Sequence, residues 1–129
     1  MTNQEMPPLQ VLQEARQLLS NPDHWFRYGF AGKKDGEVKA RFYSKNGEPS
    51  WLHPDANCWC SMGALLKVTK SKIPTCPMKP IFFLSKALDK MGYSSSIAWF
   101  NDNISTTHED ILELFDLAIE LAKEDHARQ

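Results

Sequence analysis

The sequence predicts a mainly α-helical domain of four or five helices with one β-hairpin at about residues 25–44. Three observations point there. Apolar residues recur at helical spacing in several separate stretches. Residues 25–44 instead alternate with period two around Asp35-Gly36. Prolines and Asn-Gly steps punctuate the joins. The 129 residues fit one domain, 1–129, with short disordered N- and C-terminal ends, and are enough to bury a core without disulfides or metal.

Pro7-Pro8 opens the first helix, in which Leu9, Leu12, Ala15, Leu18 and Leu19 share a face. Asn21-Pro22 stops it, because proline disfavours the helical conformation in the residue before it. In the hairpin, Phe26, Tyr28 and Phe30 alternate on one strand and Val38, Ala40 and Phe42 on the other. Asn46-Gly47 marks a further turn, and residues 48–57 read as a loop. The second helix starts near Cys58 or Cys60, with Trp59, Met62, Leu65, Leu66 and Thr69 on one face. Pro74 and Pro77 stiffen the next link. Pro80 suits the first turn of a helix that runs to Met91, with Ile81, Leu84, Ala87, Leu88 and Met91 inward and Gly92 as its stop. Ile97 to Phe100 read as one or two helical turns. The last helix opens on a capping box, either Thr106 with Glu109 or Thr107 with Asp110. Ile111, Leu114, Phe115, Ala118, Leu121 and Ala122 then follow the helical period.

Composition excludes several function classes. With 15 basic and 16 acidic residues, no overall positive field drives non-specific nucleic-acid binding. No apolar run reaches the length of a membrane span, and the polar start of the chain is not a signal peptide. A cytoplasmic location is expected, with the three cysteines reduced. No metal and no cofactor is expected. His53, Cys58, Cys60 and Cys76 are potential zinc ligands, but Cys58-Trp59-Cys60 has one intervening residue and no second pair follows. Asn101-Asp102-Asn103 lacks the rest of a calcium loop.

Four residues form a candidate catalytic set. Cys60 at a helix start could be activated by the helix dipole, with His108 as base and Asn101 or Asp102 as the group that orients it. The simpler reading packs Cys60 as a small apolar residue beside Gly63 and Ala64 and uses Asn101 and Asp102 to satisfy backbone groups. A second candidate surface interleaves Trp25, Phe26, Tyr28, Phe30, Phe42, Tyr43 and Trp51 with Arg27, Lys33, Lys34, Lys39 and Arg41. Such a pattern can stack bases and grip phosphates. It is equally the pattern of a hairpin with one core face and one solvated face, which the balanced charge favours. Lys67, Lys70, Lys72 and Lys79 read as a solvated helix face and loop.

The run Trp59-Cys60-Ser61-Met62-Gly63-Ala64-Leu65, then Trp99-Phe100-Asn101-Asp102, then Thr107-His108 before a C-terminal amphipathic helix, resembles a family of short bacterial and phage proteins of unknown function. The family carries Trp-Cys-x-x-Gly-Ala-Leu, Trp-Asn-Asp and Thr-His in this order, and the resemblance extends from about Leu9 to Ala122. Phe100 is an insertion relative to the Trp-Asn-Asp pattern. The resemblance implies a fold and a prokaryotic or phage origin, and it carries no activity across. The expectation is a non-catalytic accessory or interaction protein that binds a protein or a small ligand, with the hairpin and the loop 46–57 as its contact surface. A small Cys-His-Asn/Asp enzyme is the first alternative, and nucleic-acid binding through the hairpin is the second.

Overall fold

The described residues form five α-helices and a three-stranded antiparallel sheet, so the architecture is mixed α and β rather than helical with an isolated hairpin. This computed structural model describes residues 6–74 and 77–128. The expectation of disordered ends concerns residues largely outside that range. Helix α1, Pro8–Leu18, buries Val11, Leu12 and Ala15. Asn21 ends this segment by accepting a hydrogen bond from the Asp23 amide at 2.9 Å, which opens a 3-10 turn over Pro22–His24.

The hairpin lies further along the chain than the alternation suggests. Strand β1 is Ala31–Asp35 and β2 is Val38–Arg41, paired antiparallel with Lys34 opposite Lys39 and Asp35 opposite Val38. Gly36 takes φ 65° in the turn between them, as the Asp-Gly step requires. Trp25 to Phe30 is not the partner strand. Tyr28 turns the chain with φ 72°, so extended pairing cannot run through it. The partner on the other side of β1 is β3, Cys58–Trp59, with Ala31 opposite Trp59 and Gly32 opposite Cys58. Trp59 therefore belongs to a strand and not to the helical face with Met62 and Leu65.

Helix α2, Ser61–Thr69, begins one residue later, with Cys60 as its N-cap: the sulfur accepts from the Gly63 amide at 3.2 Å. Gly63 is needed for contact, because a Cβ there would lie 1.9 Å from the Phe30 carbonyl oxygen. Helix α3, Met78–Lys90, carries Pro80 in its first turn and buries Phe83, Leu84, Ala87 and Leu88. Helix α4, Ile97–Asp102, is capped by Ser96. Helix α5, His108–Ala127, starts with a capping box between Thr107 and Asp110, the second of the two registers the sequence allows.

Helices α1, α3 and α5 pack on one another, α1 also packs on α2, and α2 on α4. Their shared core includes Leu12, Leu65, Leu84, Phe100 and Phe115. Full burial of side chains of this size contributes about 1.5–3 kcal/mol each. The sheet meets this core through β3 and the turn at Ser50–Leu52, while β2 forms the outer edge. No helix among the described residues is long and apolar enough to cross a membrane.

Candidate functional site

Asn101 is the polar centre of the molecule and is 1% exposed. Its Oδ1 accepts from Trp25 Nε1 at 2.8 Å, from the Ser61 amide at 2.9 Å and from Ser61 Oγ at 2.8 Å. Its Nδ2 donates to the Phe26 carbonyl at 2.9 Å and to Asp102 Oδ1 at 3.0 Å. The same Asp102 oxygen accepts from the Tyr28 amide at 2.8 Å. One amide thus ties α4, the start of α2 and the bend before β1 together, and its hydrogen-bonding capacity is filled. Two of the segments that carry the family-like motifs, 59–65 and 99–102, meet at this point.

Cys60 and His108 lie next to this network but are used elsewhere. Among the described residues no hydrogen bond joins them. His108 Nε2 pairs with the Leu19 carbonyl at 2.7 Å, and its ring centre is 6.0 Å from that of Trp25. Cys60 is 7% exposed. Burial pushes its thiol up to about 12, against the lowering effect of the Gly63 and Met62 amides, and the Asp102 charge adds to the rise. At Cys60 desolvation thus outweighs the stabilisation that a helix N-terminus gives a thiolate.

The other metal and ring candidates also have local partners. His53 stacks on Phe42 with centroids 4.3 Å apart, and its Nδ1 accepts from the Asp55 amide at 3.0 Å. Asn103 caps the Ser105 amide at 2.9 Å. Cys76 lies outside the described residues, and among those described no group of three His, Cys, Asp or Glu side chains could hold a metal ion. Trp25, Phe26 and Trp51 are buried, which leaves Tyr28 and Tyr43 as the exposed rings of the proposed base-stacking surface. Trp99 is 56% exposed, and the inserted Phe100 takes the buried position.

Two open clefts flank Tyr28, and both are also lined by Arg41. The first, about 510 Å³, lies among Trp25, Phe26, Arg27, Lys39 and Ile104. The second, about 420 Å³, lies among Phe30, Cys60, Met62 and Asp102. Lys39 and Arg41 are two residues apart on β2, so both side chains leave one face of the sheet. Lys39 Nζ donates to the carbonyls of Pro22, at 3.2 Å, and Trp25. Burial lowers its pKa, partly offset by Cys58 and Asp23. The Arg27 guanidinium lies 4.5 Å over the Trp25 ring and donates through Nη2 to the Thr106 carbonyl, while Nε is buried with no partner among the described residues. The Arg41 guanidinium lies 4.6 Å over Tyr43, and its stem crosses Gly29, where a Cβ would stand 3.0 Å from Cγ, Cδ and Nε. The sequence places all these cations in one aromatic stretch. What it does not show is that a bend at Tyr28 turns Arg27 towards the Lys39 and Arg41 pair. The i, i+2 spacing of Lys39 and Arg41 is the one sequence signal for it.

No curated protein and no solved structure matches the chain. A family model described as a family of unknown function (DUF6197) matches residues 3–121, and the chain belongs to that family.

Proposed function

We propose that this DUF6197 chain is a non-catalytic binding protein that takes an anionic group, on a small ligand or on a partner protein, in the cleft between Tyr28 and β2. One observation carries the reading: Arg27, Lys39 and Arg41 line a single cleft with Trp25, Phe26 and Tyr28, and no carboxylate is among its lining residues. A half-enclosed apolar site with a few convergent charged groups is the usual form of a ligand pocket. Tyrosine and arginine are also the residues that most often dominate protein interfaces. The buried, protonated Cys60 and the separate engagement of His108 count against the enzymatic alternative. An accessory role in a bacterial or phage cytoplasm goes with the resemblance in the motifs, and the free thiols of Cys58 and Cys60 suit a reducing compartment.

The test is a pair of NMR titrations of the labelled chain, one with benzoate and one with neutral benzamide. Amides in residues 27–30 and 38–41 are expected to move with the anion and to stay still with the amide. Movement confined to other faces, or none in either titration, overturns the reading.

A further inference from the structure

Two of the three cations of the first cleft are oriented by carbonyl groups without being neutralised, and the third, Arg41, lies over the Tyr43 ring. Lys39 is oriented by the carbonyls of Pro22 and Trp25, and Arg27 by that of Thr106. Carbonyl oxygens direct a cation but carry no formal charge, so the positive charge remains available to a ligand. The nearby carboxylates have other partners. Asp23 pairs with Lys34 at 3.6 Å and reaches Lys39 only at longer range. Asp102 accepts from Tyr28 and Asn101, and it lines the second cleft rather than the first. Arg27 Nε is buried and has no hydrogen-bond partner among the described residues, so Arg27 would meet a ligand through its terminal guanidinium nitrogens.

The number and spread of the cations select the anion. A carboxylate has two oxygens and one charge, and one guanidinium satisfies it in a fork. A phosphate monoester has three free oxygens and a charge of about −1.5 to −2 at pH 7. Three cations from two segments of chain match the second and exceed the needs of the first. The cleft, at about 510 Å³, is larger than a phosphate group, and the exposed Tyr28 ring gives it a flat apolar wall. Building on the reading of this cleft as the binding surface, we propose that it binds a phosphate monoester carried on a flat ring, with Arg27, Lys39 and Arg41 on the phosphate oxygens. A nucleotide and a phosphotyrosyl side chain share that chemistry.

Titration calorimetry on the intact chain tests this with two matched pairs, adenosine 5′-monophosphate against adenosine, and a phosphotyrosine pentapeptide against its unphosphorylated form. In at least one pair the phosphorylated member is expected to bind tenfold or more tightly than its partner, and the pair in which this happens identifies the source. Arg41→Gln should weaken that binding about tenfold. Gly29→Ala should do the same while keeping every charge, because the new Cβ displaces the Arg41 stem. Circular dichroism on both variants establishes that they are folded. Equal binding within both pairs, or unchanged binding by both folded variants, overturns the phosphate assignment. In that case a benzoate response at the cleft leaves the anion-binding reading standing, and no benzoate response removes both.

Discussion

The backbone N–H of Tyr28 donates to Asp102 Oδ1 at 2.8 Å, across 74 positions of sequence. Tyr28 is held there at φ 72° with a side chain that is 57% exposed. A left-handed conformation costs a non-glycine residue about 1–2 kcal/mol. Strain of this kind persists where the surrounding structure imposes it, and such positions cluster at functional sites.

Substitutions at this pair should separate strain from contact. Tyr28→Gly is expected to change stability by under about 1 kcal/mol, since relief of strain offsets the extra freedom of the unfolded chain. Tyr28→Val should destabilise by about 1–2 kcal/mol, because a β-branched residue fits positive φ poorly. Asp102→Ala should cost a similar amount by removing the acceptor of two donors. Urea unfolding reads all three. A Tyr28→Val variant as stable as Tyr28→Gly would show that the bend is not constrained.

Asn101→Ala should be among the most damaging single changes outside the apolar core. It strands the Trp25 indole N–H, the Ser61 amide and the Phe26 carbonyl in a buried region. Each stranded group costs about 1–3 kcal/mol, so a loss of about 3–5 kcal/mol is expected after relaxation. A fall of less than about 1 kcal/mol in urea unfolding would mean that water replaces the amide there.

Gly63→Ala should destabilise by more than about 3 kcal/mol, because the added methyl meets backbone rather than a movable side chain. Thermal unfolding of Gly63→Ala beside Gly36→Ala makes the comparison. At Gly36 the space is open, and the cost comes only from φ 65°.

Cys60 should resist thiol reagents at pH 7.5 in the folded protein and react promptly once denaturant unfolds it. Its raised pKa also sets a sign for stability. Below about pH 9 the thiol is protonated in both states and contributes no pH dependence. From there up to about 12, the unfolded chain loses the proton first. Stability should then fall by up to about 1.4 kcal/mol per pH unit. Lys39, with its lowered pKa, acts in the opposite direction, so the quantity to measure is wild type minus Cys60→Ala. No difference in slope between the two would contradict a buried, protonated thiol.

Local signals carried the helices. Asn21-Pro22, Pro80 and Thr107-Asp110 mark ends and starts through short-range sterics and capping, and the structure uses each of them. Two capping registers fit the last helix equally well by spacing, and the structure takes the one in which Thr107 and Asp110 bond reciprocally while Thr106 is buried. The sheet was less legible. Ala31 pairs with Trp59 across the loop between them, and Lys33-Lys34 gives β1 no alternation to read. The alternation of Phe26, Tyr28 and Phe30 came instead from a bend that buries Phe26 and exposes Tyr28. Of the four candidate site residues, Asn101 and Asp102 bond directly to each other and Cys60 lies beside them. The position of His108 was hidden because its partner, Leu19, is 89 positions away.

Among the described residues strand β2 has a neighbouring strand on one side only, so the backbone of Val38–Arg41 presents an unpaired margin. An open margin of this kind invites pairing with the same margin of another molecule. Here the strand alternates Lys39 and Arg41 with Val38 and Ala40. Two such margins laid together would crowd four cations along one seam, with only Val38 and Ala40 of each strand in return. The charges that shape the cleft thus also serve as a guard against self-stacking. Replacing them with neutral residues to probe binding would leave the chain more prone to clump.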